Sequence, residues 1–195
     1  RQGTLQATGN ASLTLAASGV VDNSAGSLST QSGHLVVESG GALLNRLGAI
    51  GSGGAFDARL ASLDNSGTLY AADRLAIVSA GLIDNTGVLA GRSSVQLDAA
   101  RLSAGAASLL AAGLQSDGSF GATGDLTVTT ADLLAAHGHN QAAGRLVFSG
   151  RDVDLSGATT RGSRVMLTAT GGDLVTAGGS VATPGELLIE ARSGT

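Results

Sequence analysis

The sequence predicts an all-β protein wound into a parallel β-helix, and three observations carry that expectation. Stretches of about twenty residues repeat back to back: "SLDNSGTLYAADRLAIVSAG" (62–81) runs without a gap into "LIDNTGVLAGRSSVQLDAA" (82–100). Within each repeat the apolar positions alternate with a period of two, as in "LAIVS" and "LTVTT", and are separated by clusters of Gly, Asn, Ser and Asp. That is the signature of short strands joined by turns. The composition points the same way, with 43% hydrophobic residues, only 2% aromatic, 31 Gly and one Pro. An interior with so few rings is filled by Leu, Ile, Val and Ala, which suits a narrow regular core. A unit this short cannot bury its own apolar stripe, whereas stacked copies bury it for one another. Equivalent residues then lie one above the next at ~4.8 Å, and roughly nine coils make a rod on the order of 45 Å long. Each Leu or Ile so buried contributes ~1.5–3 kcal/mol.

The coils can be taken in order from an Asn that recurs in the first half. Asn23 is preceded by Val21 and followed by Leu28, Leu35 and Val37. Asn45 is preceded by Leu43 and followed by Ile50 and Phe56, with small insertions in both coils. Asn65 has Leu63, Gly67, Leu69, Leu75 and Ile77, and Asn85 has Ile83, Gly87, Leu89, Val95 and Leu97 at the same offsets. Later coils keep the apolar frame and lose the Asn. Ser116 takes its place beside Leu114, Phe120, Leu126 and Val128; Ala136 beside Leu134, Leu146 and Phe148. Leu155 follows with Val153, Val165 and Leu167, then Thr176 with Leu174, Val181, Leu187 and Ile189. Phe56, Phe120 and Phe148 are the large inward exceptions. The frame breaks at "RLSAGAASLLAAGL" (101–114), too short for a coil and too long for a turn, whose Ala and Leu favour helix. An irregular coil, insertion or short helical excursion is expected there, within one β-helical segment spanning 1–195.

Residues two apart in a strand share a face, so Asn23, Asn45, Asn65 and Asn85 point inward or line a turn. Stacked amides can form a ladder, each donating to the next, which satisfies buried groups that would otherwise cost ~1–3 kcal/mol. A polar binding track is the alternative. The ladder is preferred because the column turns to Ala136 and Leu155, which a core tolerates and a binding track does not.

The absence of Cys rules out a disulfide framework or thiolate metal site. The net charge is −4, every basic residue is Arg, and no basic tract suited to nucleic acid is present. With one Tyr and no Trp, stacking on bases or sugar rings has little to use; Tyr70, outward beside Leu69, is the one exposed ring expected. No apolar run approaches the ~20 residues of a membrane-spanning helix. No signal-peptide pattern opens the chain, and both ends look like cuts through a continuing repeat.

Chemistry has few candidates. "SGRDVDLSG" supplies Arg151, Asp152 and Asp154, with Arg161 and Arg164 a partial coil further on. Such a set could serve a glycan site or acid–base catalysis, but a solvated charged face explains it as well. "AHGHN" offers His137 and His139 as an alternating pair, short of a metal site and better read as a turn, and His34 stands alone. "GSGGAFDARL" (51–60) resembles a calcium nonapeptide only once, whereas a calcium ladder needs successive copies. Asp22, Asp64 and Asp84 would stack outside, with Leu44 interrupting them. No catalytic, cofactor-binding or metal-binding residue is assigned, and no enzyme activity or cofactor is expected.

The units "LDNSGTL", "LIDNTGVL" and "VVDNSAGSL", each followed by a strand such as "RLAIVSAG" or "HLVVESGG", resemble the repeats of the filamentous haemagglutinin family. These are large exoproteins of bacterial two-partner secretion, among them adhesins and contact-dependent growth inhibition proteins. The resemblance is strongest from Val20 to Ala100 and rests on apolar spacing and Gly after residue 115. It implies a right-handed parallel β-helix and a secreted, cell-surface location. It also implies export through an outer-membrane transporter and a stalk that presents an adhesive or toxic region to other cells. A receptor- or glycan-binding module within such an exoprotein, with its contacts around 101–114, is the alternative, and a polysaccharide-active β-helix enzyme is the second. Neither a secretion domain nor a toxin domain is recognisable.

Overall fold

The computed structural model describes residues 3–193, and among them there is no helix. The chain is a solenoid of about nine turns with a spacing of ~21 residues, its strands pairing in parallel with the turn before and the turn after. One face is a sheet of nine strands, one from each turn, from Thr4–Ala7 through Thr68–Ala71, Val88–Gly91 and Leu109–Ala112 to Ser180–Ala182. The remaining strands form a sheet of thirteen that folds over two faces.

The fold in the larger sheet is made within single strands. Leu35–Asn45, Phe56–Asn65, Arg74–Asn85 and Ser94–Ala104 each run along the second face, bend, and continue along the third. Their ladders slip at the bend, between Ser39 and Ala42, Leu60 and Leu63, and Ala99 and Arg101. Small residues occupy the corner because the chain of the adjacent coil lies against it. A Cβ on Gly40 would come within 2.4 Å of the Ser18 carbonyl oxygen. In later turns the second and third faces are separate strands, as in Asp125–Thr130 and Leu133–Ala136.

The core is a set of stacked columns. On the second face Leu35, Phe56, Leu75, Val95, Leu126, Leu146 and Val165 lie in register. On the third, Leu43, Leu63, Ile83, Leu102, Leu134 and Val153 do the same. All are essentially inaccessible to solvent. Phe56 and Phe148 are the largest fully buried side chains, as the frame predicted.

Three expectations are corrected. Residues 101–114 contain no helix, and they run mostly as regular strands. Arg101–Ala104 completes the strand Ser94–Ala104, and Leu109–Ala112 pairs in register with Val88–Gly91. The irregular segment lies further on, between Leu109–Ala112 and Asp125–Thr130. Consequently Ser116 is not in the Asn column: the residue in register with Asn85 is Ala104, followed by Ala136. Ala and Leu are as much at home in the inner and packed positions of a coil as in a helix, and tertiary stacking overrides their helix propensity. Phe120, expected inward, belongs to the irregular segment and is 36% exposed.

Candidate functional site

The inward Asn side chains form the expected ladder at the corner between the third and first faces. Asn23 Nδ2 donates to Asn45 Oδ1 at 2.8 Å, Asn45 to Asn65 at 2.7 Å, and Asn65 to Asn85 at 2.7 Å. Asn23, Asn45 and Asn65 give their second amide proton to the Ala49, Thr68 and Val88 carbonyls, and Asn85, the last rung, donates to the Gly87 carbonyl. Asn45, Asn65 and Asn85 are buried. A ligand cannot reach these three from outside, and their amides are spent on one another and on the backbone, which fits a register pin better than a binding track. The turn that follows is held open by close chain contact: a Cβ on Gly67 would sit 2.0 Å from the Gly48 carbonyl oxygen.

The charged candidates are separated by the solenoid. Asp152 and Asp154 flank buried Val153 and face outward on the third face. Arg161 lies on the first face and Arg164 on the second, both exposed. Arg151 is 3.8 Å from both Asp132 and Asp152. Asp152 Oδ1 also accepts the backbone N–H of Asp173. Asp154 is committed locally: its Oδ1 accepts from the Ser156 backbone and hydroxyl, and its Oδ2 is 3.2 Å from His137 Nε2. Burial pulls the Asp154 carboxyl upward, but the two Ser156 bonds and His137 outweigh it and hold the group below its usual range. No paired carboxylates face a common concavity here. The groove of ≈430 Å³ beside Arg161 is lined by small and polar residues such as Gln141, Ser163 and Thr183, without an acid.

The remaining candidates are structural. His34 Nδ1 accepts the Ala55 backbone N–H at 3.2 Å, and His139 points outward from the first face. Asp57, in the segment resembling a calcium repeat, is paired with Arg74. Asp64 and Asp84 are in register on the outside with Leu44 above them, as expected, and Asp64 is bound by Arg46. Among the described residues no group of three or more His, Asp or Glu could hold a metal ion, and no helix is long and apolar enough to cross a membrane.

The feature that stands out from the smooth rod is the irregular segment. It is a small antiparallel hairpin closed by a bridge between Leu114 and Phe120. Gln115 N–H donates to the Ser119 carbonyl at 2.8 Å and Gly121 N–H to the Gly113 carbonyl at 2.8 Å. At its tip, Asp117 Oδ1 accepts the hydroxyl and backbone N–H of Ser119, which together hold the Asp117 carboxyl below its usual range. Gly113, Gly118 and Gly124 have φ of 90°, 84° and 151°, conformations that require Gly.

The hairpin folds back along the outside of the first face. There Tyr70, Ala90 and Ala111 are outward neighbours in register, yet Ala90 and Ala111 are wholly buried. Tyr70 Oη donates to the Leu114 carbonyl at 3.1 Å, two coils away. Tyr70 is therefore outward as predicted but half covered; burial raises its phenol above the usual value, with Arg92 opposing and Asp117 reinforcing. The signal for this element was present in "QSDGSF" (115–120), because Asp-Gly between two short runs marks a hairpin. Leu114 and Phe120 also match the apolar spacing of a coil, which masks that signal.

Comparison with known proteins follows the same repeats. The haemagglutinin repeat family model matches residues 1–46, 51–116, 103–149 and 140–187. The chain is 43% identical over 112 residues to "Toxin CdiA" of Yersinia pestis, covering 57% of this chain. It is 42% identical over 87 residues, 44% of this chain, to "tRNA nuclease CdiA-2" of Burkholderia pseudomallei (strain 1026b). Each match spans only 3% of the relative's own length. No solved structure matches the chain.

Proposed function

Because the chain belongs to the haemagglutinin repeat family, we propose that it is a length of rod in a large secreted bacterial exoprotein, presenting an adhesive or toxic region to other cells. The observation that carries this reading is the continuous core of stacked columns. The inner coils are buried by their neighbours, and the Asn ladder among them is hydrogen bonding that fixes register. A solenoid of this kind supplies reach and stiffness. The two relatives, one named a toxin and the other a tRNA nuclease, support a toxin-bearing parent over a purely adhesive one. Export would use an outer-membrane transporter, with the exoprotein displayed at the cell surface. We assign no catalysis to this segment: Asp152, Asp154, Arg161 and Arg164 lie on three different faces.

The second reading makes the segment itself a receptor- or glycan-binding module, and the hairpin at 113–124 favours it. Its tip exposes Asp117 and Phe120 on a backbone already ordered by Tyr70 and Ser119, so little conformational entropy would be lost on binding.

One experiment separates the two. Within a full-length exoprotein of this family, residues 35–170 are replaced by the same number of coils from elsewhere in the same rod. A spacer predicts unchanged attachment to, or inhibition of, target cells. Loss of target-cell contact with normal secretion would overturn the stalk reading and favour the binding module.

A further inference from the structure

We propose that the rod is divided into two cooperative units at the step from Leu109–Ala112 to His139–Ala142, and that the coils beyond it open while the Asn-pinned coils stay folded. Three features bear on this step, the last of them beginning one coil earlier. The first is the inward column of the first face. Leu28, Ile50, Leu69, Leu89 and Leu110 stack in register, and the next two members are Asn140 and Thr160.

The second is unsatisfied polarity. Asn140 Nδ2 donates to the Ala136 carbonyl at 3.2 Å and to Thr160 Oγ1 at 3.1 Å, but its buried Oδ1 receives no hydrogen bond. One coil earlier, Ser108 stands where the preceding coil has Gly87, and its buried Oγ also lacks a partner. Polar atoms stripped of water without a replacement partner weaken the stack locally.

The third is the loss of the register pin. The Asn ladder ends at Asn85, and the column continues as Ala104 and Ala136. No amide bond in that column therefore crosses the step, and the chain itself leaves the rod there to make the hairpin.

Stacked coils are coupled only to their neighbours, so the weakest interface sets the boundary between cooperative units. What still crosses it is the backbone ladder and two apolar faces, Val95 over Leu126, Leu97 over Val128 and Leu102 over Leu134.

The test is hydrogen exchange on the whole chain in increasing urea. Backbone amides at 126–169 are expected to lose protection at lower urea than those at 56–98. The double variant Asn140→Leu, Thr160→Val makes the column apolar from Leu110 to Val181 and removes both partners together. It is expected to raise protection at 126–169 by about tenfold while leaving 56–98 within about twofold. Ser108→Gly, which removes one orphaned hydroxyl and restores the Gly of earlier coils, should shift protection the same way by a smaller factor. Equal urea dependence of both regions in the wild type would overturn the proposal. So would unchanged protection at 126–169 in both variants, which would assign any early opening to fraying from the exposed last coil, where Leu187 and Ile189 are 46% and 47% accessible.

Discussion

Asn65 sits between two copies of itself, donating to Asn85 and accepting from Asn45. Replacing it with Ala leaves an amide proton of Asn45 and the carbonyl of Asn85 buried without partners. At ~1–3 kcal/mol per orphaned group, the loss should be large. Asn85→Ala removes one bond from Asn65 and the weaker one to the Gly87 carbonyl, breaks no rung beyond it, and matches the Ala104 that follows in the column. Urea unfolding should therefore rank Asn65→Ala as clearly more costly than Asn85→Ala; equal costs would mean that the ladder is not cooperative. Leu75→Asp should exceed both, because it buries a carboxylate in the second-face column. Asp154 gives a pH-dependent counterpart. Its folded pKa is lowered by Ser156 and His137 against the opposing effect of burial. Its contribution is complete above the unfolded value of about 3.9 and is lost as pH falls through the lower folded value. Asp154→Asn keeps an acceptor for Ser156 but no titrating charge. The drop in urea midpoint between about pH 5 and pH 2 should be smaller in this variant than in the wild type.

Among the elements, the hairpin at 113–124 depends on the coil it leaves. Its arms share few cross-strand bonds, and an isolated hairpin is marginal in water, so the Tyr70 hydroxyl bond to the Leu114 carbonyl is expected to help hold it down. Tyr70→Phe should cost only ~0.5–1.5 kcal/mol globally. Its main effect should be local: chymotrypsin cleavage after exposed Phe120 should become several times faster, with the β circular dichroism unchanged. Unchanged cleavage would show that packing, and not the hydroxyl, seats the hairpin. The bent strands behave differently, because their corners are fixed by close contact between successive chains. At the turns, Gly67→Ala would drive a methyl into the Gly48 carbonyl, which no rotamer can relieve.

For the whole molecule, the unit of construction is the coil. Asn65 and Asn85 are 20 residues apart and in register, so excising residues 66–85 joins two equivalent positions. The shortened chain should remain folded and be shorter by one strand spacing, about 4.8 Å, as read by small-angle scattering. Excising ten residues instead should abolish the stack. This regularity is why so much was legible in advance. The alternation of apolar residues, the recurrence near twenty and the Asn offsets fix the strands, the solenoid and even the amide ladder, because each coil packs on a near copy of itself and local pattern equals global contact. Where a coil departs from its copies, that equality fails. Leu114 and Phe120 carry the polarity and nearly the spacing of the coil frame, which masks the hairpin. Asn140 is masked in the same way, because the coil after Ala136 simply lacks an apolar residue at that place. The scattering of Arg161 and Arg164 onto different faces from Asp154 was equally out of reach, since it depends on where each turn corners. By itself, then, the sequence determined the repeating architecture and the residues that stack in it. Only the tertiary structure decided where the repeat is interrupted and what covers the interruption, because those contacts join dissimilar segments for which no neighbouring copy supplies the template.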